Sequence, residues 1–195
     1  MTGLAERRGV ETRVYEAAED SHLLARAAVT RVERDDLVLD VGTGSGYVAA
    51  TVAETTGARV VGSDLNPHAC RRAHEAGVEA VRADLVSPFR DGAFDWVLFN
   101  PPYLPTAEEE TRDDWMERAL SGGESGRAVV DPFLDGVRRV LAPGGGVLLL
   151  VSSLTGIDAV RDRARENGLT TREVSEESFP FERLVVLSLR PTGTV

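Results

Sequence analysis

Apolar runs of strand length alternate along the chain with segments of helical period, and the alternation repeats often enough to predict an α/β architecture. Runs at 37–41, 59–64, 78–82, 94–99, 146–152, 169–174 and 183–189 read as seven strands. Helical spacing covers 47–55, 67–76, 132–141 and 157–167, and one more helix leads in from Glu19 to Arg31. Asn66 before Pro67 supplies an N-cap followed by a proline at the first helical position. Only eight residues, Ser175 to Glu182, separate the last two strands, too few for a crossover helix, so they are expected to pair antiparallel. The remaining strands, alternating mostly with helices, are expected to run parallel with helices on both faces. One domain is expected over 1–195, with 1–33 as a lead-in segment and helix and a polar, Glu- and Gly-rich loop over 104–130.

Composition narrows the class. The chain has 195 residues, 42% of them apolar, enough to bury a core without disulfides or metals. Its longest apolar run, Val147 to Val151, is too short to cross a bilayer, and the first ten residues lack the apolar stretch of a secretory signal, which points to the cytoplasm. Cys70 stands alone, so no disulfide or thiolate zinc site is expected within the chain. His22, His68 and His74 have no metal-binding spacing, the run Glu108, Glu109 and Glu110 reads as a solvated face, and no metal site is expected. Acidic residues outnumber basic ones 32 to 22, giving a net charge of −10, and every basic side chain is arginine. Such a surface suits work at high salt and disfavours binding to a phosphate backbone.

Candidate chemistry begins after the first strand. Asp40-Val41-Gly42-Thr43-Gly44-Ser45-Gly46 is a glycine-rich turn opening a helix, where backbone N–H groups approach a ligand closely. A dinucleotide turn reads G-x-G-x-x-G, whereas this one reads G-x-G-x-G behind an acid, a spacing that favours a methyl donor such as S-adenosylmethionine over a nicotinamide. Asp64 ends the second strand 22 residues after Gly42, where a carboxylate can accept from both ribose hydroxyls. Asp84 and Leu85 follow the third strand and can bracket an adenine, the acid accepting from its amine and the leucine covering the ring.

The fourth strand runs into Asn100-Pro101-Pro102-Tyr103. The two prolines stiffen the backbone. A planar amide or nucleobase NH₂ is a poor nucleophile because its lone pair is delocalised, so it must be held with that lone pair toward the methyl. The Asn100 side-chain oxygen and the Pro101 carbonyl can each accept one N–H, and Tyr103 can wall the pocket. Asn100, Pro101, Pro102 and Tyr103 are therefore the candidate substrate-binding residues, with Asn100, Pro101 and Tyr103 as the catalytic set. The tetrapeptide also suits a nucleic-acid adenine or cytosine amino-methyltransferase, although no basic face or separate recognition domain accompanies it. A non-catalytic donor-binding scaffold is the alternative from another class.

Taken together these segments resemble the HemK/PrmC-type release-factor glutamine N5-methyltransferases, in particular the short archaeal and eukaryotic branch that has no separate substrate-binding domain. Val14 to Ser21 is similar to that branch's lead-in motif, Asp40 to Gly46 to its donor loop and Asn100 to Tyr103 to its catalytic tetrapeptide. Gly122, Gly123, Gly126, Arg127 and Asp131 resemble its substrate-side loop. Ala17 replaces the usual proline and Leu120 an aromatic. The resemblance implies the seven-stranded, Rossmann-like class I methyltransferase sheet with an antiparallel final strand. It also implies methyl transfer from S-adenosylmethionine, leaving S-adenosylhomocysteine, to a glutamine of a peptide chain release factor, lysine being a side activity left open. Ser21, Asp40, Gly42, Asp64, Asp84, Leu85 and Asn100 are implied to line the donor or its methyl, with Gly44 and Gly46 in the same turn. A small zinc-binding activator is implied to add a strand at the open sheet edge, here the strand from Val78 to Arg82, whose apolar character would otherwise invite aggregation.

Overall fold

In the computed structural model, which describes residues 19–106, 115 and 119–193, the seven strands form one sheet in the order β3-β2-β1-β4-β5-β7-β6. They are β1 (Leu37–Val41), β2 (Arg59–Asp64), β3 (Glu79–Arg82), β4 (Phe94–Phe99), β5 (Leu141–Ser152), β6 (Leu169–Phe179) and β7 (Glu182–Pro191). Every neighbouring pair is parallel except those of β7, which runs antiparallel to both β5 and β6. Chain order reverses between β1 and β4, and the crevice opened at such a switch point is where ligands bind in open α/β sheets.

Period-two alternation sends the two faces of each strand to separate cores. Val38, Trp96, Leu98, Leu148 and Leu150 pack toward α1 (Glu19–Val29) and α2 (Tyr47–Thr56), with α3 (Pro67–Glu75) completing that layer. Leu39, Val97, Phe99, Leu149 and Val151 pack toward α4 (Val130–Val140) and α5 (Ile157–Glu166) on the opposite face. Asn66 caps α3 as its sequence suggests, its side chain accepting from the His68 N–H at 2.9 Å. Pro132 lies inside the first turn of α4 rather than at its start, a position where the missing N–H costs nothing. Cys70 is buried, with its sulfur against the Asp64 carbonyl.

Two boundaries differ from the pattern. β5 begins at Leu141, five residues before the apolar run at Gly146, because Phe94 pairs with Leu141 and Trp96 with Gly146 across a bulge that absorbs the Pro143-Gly144-Gly145 stretch. The last two strands are longer, and the eight-residue connection shrinks to Pro180 and Phe181. The polar Ser175–Ser178 segment gives no apolar signal, yet it pairs with β7 through its backbone and through Arg183, which bonds Glu173 at 3.0 Å and Glu176 at 2.9 Å. The lead-in residues 14–18, the first ten residues and the run at 108–110 lie outside the described residues. Among those described, no helix is long and apolar enough to cross a membrane.

Candidate active site

The C-terminal ends of β1, β2 and β4 and the start of α1 converge on a cleft of about 660 Å³, a size suited to a small-molecule ligand. Its floor is the glycine turn. Gly42 and Gly44 have φ of 64° and 56°, left-handed values that side chains resist, and a Cβ on Gly42 would also lie 3.4 Å from the Phe99 ring. The turn leans on Asp64, whose two oxygens accept the Gly44 N–H at 3.0 Å and the Asn66 N–H at 2.8 Å. Each oxygen keeps a further lone pair for a ligand hydroxyl. Burial pushes the Asp64 carboxyl above its ordinary range.

Asp40 lies beneath the turn, almost without exposure, and accepts the Thr43 hydroxyl at 2.7 Å. Desolvation raises its pKa from 3.8 to about 7, against the opposing pull of the Thr43 and Ala49 hydrogen bonds. Its first task is thus to hold the loop. Gly46 does not line the cleft. With φ of 82° it faces α3, and a Cβ there would stand 3.0 Å from the Ala73 Cα, so it serves helix packing. Asp84 and Leu85 both line the cleft. Leu85 has φ of 49°, the one positive value outside glycine among the described residues, a conformation held where a site requires it.

At the opposite wall stands the tetrapeptide. Asn100 donates through Nδ2 to the Ser21 hydroxyl at 3.4 Å, while its Oδ1 is buried and has no hydrogen-bond partner. Pro101 and Pro102 line the cleft beside it. Tyr103 is more than an apolar wall, since its hydroxyl donates to Asp20 Oδ2 at 3.4 Å. Asp20, 4% exposed, also accepts the Ser21 N–H at 2.7 Å and the Ser21 hydroxyl at 3.4 Å. The sequence assigns a role to Ser21 and none to Asp20, which appears there only as part of the Val14–Ser21 segment.

The chain after Tyr103 returns to the tetrapeptide. Leu104 pairs with Ser121, and the Leu104 N–H donates to the Leu120 carbonyl at 3.0 Å while the Gly122 N–H donates to Leu104 at 2.9 Å. A Cβ on Gly126 would sit 2.8 Å from the Tyr103 carbonyl oxygen, so only glycine fits. Trp115, Leu120 and Gly123 line the cleft, whereas Gly122, Gly126, Arg127 and Asp131 do not. Arg127 instead ties the loop to the short turn after β5 by donating to the Thr155 carbonyl at 2.7 Å, with Asp131 3.8 Å away.

Comparison with known proteins gives the same direction. The Methyltransferase domain family matches residues 38–122. A Methanocaldococcus jannaschii protein named as a putative protein N5-glutamine methyltransferase is 36% identical over 181 residues, 90% of each chain. Human methyltransferase HEMK2 is 36% identical over 92% of this chain and 91% of its own. The solved Mtq2-Trm112 complex of E. cuniculi, which methylates the eRF1 translation termination factor, aligns at a TM-score of 0.76 with 30% identity, covering 92% of this chain and 99% of that one. With identity of this level sustained along nearly the whole chain, and with the glycine turn and the Asn-Pro-Pro-Tyr wall facing one cleft, this protein belongs to the HemK-type protein N5-glutamine methyltransferase family.

Proposed function

We propose that the protein transfers a methyl group from S-adenosylmethionine to the side-chain amide nitrogen of a glutamine in a peptide chain release factor. The observation that carries this reading is the buried, unpartnered Oδ1 of Asn100 at the cleft wall. A buried acceptor without a donor costs about 1–3 kcal/mol, and a primary amide supplies the missing N–H.

The cleft fits the donor. Its volume, the close approach allowed by Gly42 and Gly44, and the Asp64 lone pairs match a nucleoside carrying a charged amino-acid tail. Asp64 would hold the ribose, Asp84 and Leu85 the adenine, and Asp40 and Ser21 the amino-acid end. Gly44 shapes the turn beneath, and Gly46 supports it through α3. When bound, S-adenosylmethionine supplies an electrophilic methyl on a sulfonium.

The residues of the chain do the rest by positioning. Asn100 Oδ1 and the Pro101 carbonyl each accept one N–H of the substrate amide, which fixes the nitrogen and turns its lone pair toward the donor side. Pro102 and Tyr103 confine the amide plane. No strong base is required, because the nitrogen becomes acidic only as it is alkylated and its proton can leave to solvent afterwards. Leu120 and Gly123, on the cleft side, would meet the protein substrate, and the chain would act as one catalytic domain.

A small zinc-binding activator completes the assembly at β3. That strand is a sheet edge, and Val81 on it is 42% exposed. An added strand there would satisfy the open backbone and shield Val81. The acidic, lysine-free composition fits a cytoplasmic protein working at high salt. Fragment mass spectrometry of the release factor after incubation with donor, enzyme and activator tests the reading: one glutamine gains one methyl group. A release factor left unmodified under those conditions contradicts it.

A further inference from the structure

The amide of Asn100 is useful to the reaction in only one of its two orientations. With Oδ1 toward the cleft it accepts a substrate N–H; flipped, it would point its own NH₂ at the substrate's NH₂. Nothing in the shape of an amide chooses between the two, so the hydrogen-bond partners must. Those partners form a chain with a fixed polarity. Asp20 receives the Ser21 N–H and hydroxyl on Oδ1 and the Tyr103 hydroxyl on Oδ2. The Ser21 hydroxyl donates to Asp20 Oδ1, so its single proton is spent there and the Ser21 oxygen has only lone pairs left to offer. Asn100 meets that oxygen at 3.4 Å and must present Nδ2 to it, which leaves Oδ1 facing the cleft without a partner.

We infer that Asp20 is a positioning residue for methyl transfer: through Ser21 it sets the orientation of the Asn100 amide, and through Tyr103 it ties the end of the tetrapeptide to the start of α1. Asp20 touches neither reacting atom in this scheme. The inference rests on the proposed reading of Asn100 as the acceptor of a substrate N–H.

An Asp20→Asn variant separates polarity from packing, because its shape is nearly unchanged. An amide at position 20 can donate to Ser21, which frees the Ser21 proton to turn toward Asn100 and stabilise the flipped amide. Turnover by Asp20→Asn should fall about 30-fold while affinity for S-adenosylhomocysteine, read by calorimetry, stays within about threefold. The decisive arm repeats the substitution in an Asn100→Asp background, under single-turnover conditions with labelled donor. A carboxylate at position 100 is symmetric and needs no orienting partner, so Asp20→Asn should there cost less than about twofold or raise the rate. Equal losses in the two backgrounds, or wild-type turnover by Asp20→Asn, would overturn the inference. Should Asp20→Asn fail to fold, Ser21→Ala breaks the same chain, with a loss of about tenfold expected when Asn100 is intact and none in the Asn100→Asp background. The wild-type enzyme in the same assay reports separately on the proposed function. If it labels a different NH₂ substrate, that reading falls, and the Asp20 cycle is scored on whichever substrate is labelled.

Discussion

The two ends of the cleft are built on opposite principles. At the donor end the two acids are held before any ligand arrives, Asp64 by two backbone N–H groups and Asp40 by Thr43, with the Ser63 hydroxyl left unpartnered beside them. At the acceptor end Asn100 Oδ1 is buried and unpaired. A satisfied end is a rigid template that binds through residual lone pairs and close backbone approach. An unsatisfied end stores a small free-energy cost that disappears only when a molecule with a suitably placed N–H enters. Donor recognition is therefore expected to depend on backbone shape, and transfer on one side-chain atom.

Substitutions at the two ends should then separate affinity from rate. The largest effect is expected from Asn100→Ala, which lowers kcat about a thousandfold. Its affinity for S-adenosylhomocysteine, measured by calorimetry, should change far less. Comparable losses of both would break the contrast between the ends. Next comes Asp64→Ala, expected to weaken donor affinity about a hundredfold, equivalent to one or two charge-assisted hydrogen bonds. It should also lower Tm, because the Gly44 and Asn66 N–H groups lose their acceptor.

Asp40 sharpens the comparison through pH. Its folded pKa of about 7 lies above the unfolded 3.8, so the native state holds the proton more tightly. The associated stability is fully present below 3.8 and is lost as pH rises through about 7. An Asp40→Asn protein has no charge to bury and should melt higher at pH 8, the displacement setting an upper bound of about 4 kcal/mol. That advantage should vanish by pH 4 in a melting series, and donor affinity should fall with the loss of the carboxylate. The smallest intrinsic effect is expected at the sheet edge. Val81→Glu should leave the stability of the isolated chain within about 0.5 kcal/mol, yet abolish co-purification with the activator.

Much of this layout is legible in the sequence, and unevenly so for a physical reason. Strands such as Phe94–Phe99 announce themselves because both faces are buried, and the donor residues sit in or next to short turns whose geometry is local. The β6–β7 pair is read from its short connection, but the outer half of the hairpin, Ser175 to Phe179, is not, since an edge segment of Ser and Glu is held by backbone pairing and by arginines rather than by apolar burial. Gly46 shares the spacing of a ligand-binding turn but is fixed by contact with Ala73, a residue on another helix. Asp20 is hidden most thoroughly. Its partner Tyr103 is 83 positions away, and nothing local distinguishes a relay carboxylate from a helix-starting acid.

The central claim is that Asn100 presents its oxygen to the amide of a protein glutamine. Labelled methyl transfer tests it most directly, with wild type and Asn100→Ala each offered the release factor and a DNA duplex side by side, in high salt with the activator present. The predicted result is label on one release-factor glutamine from the wild type and none above background from Asn100→Ala. Label on the duplex alone, or undiminished transfer by Asn100→Ala, would contradict it.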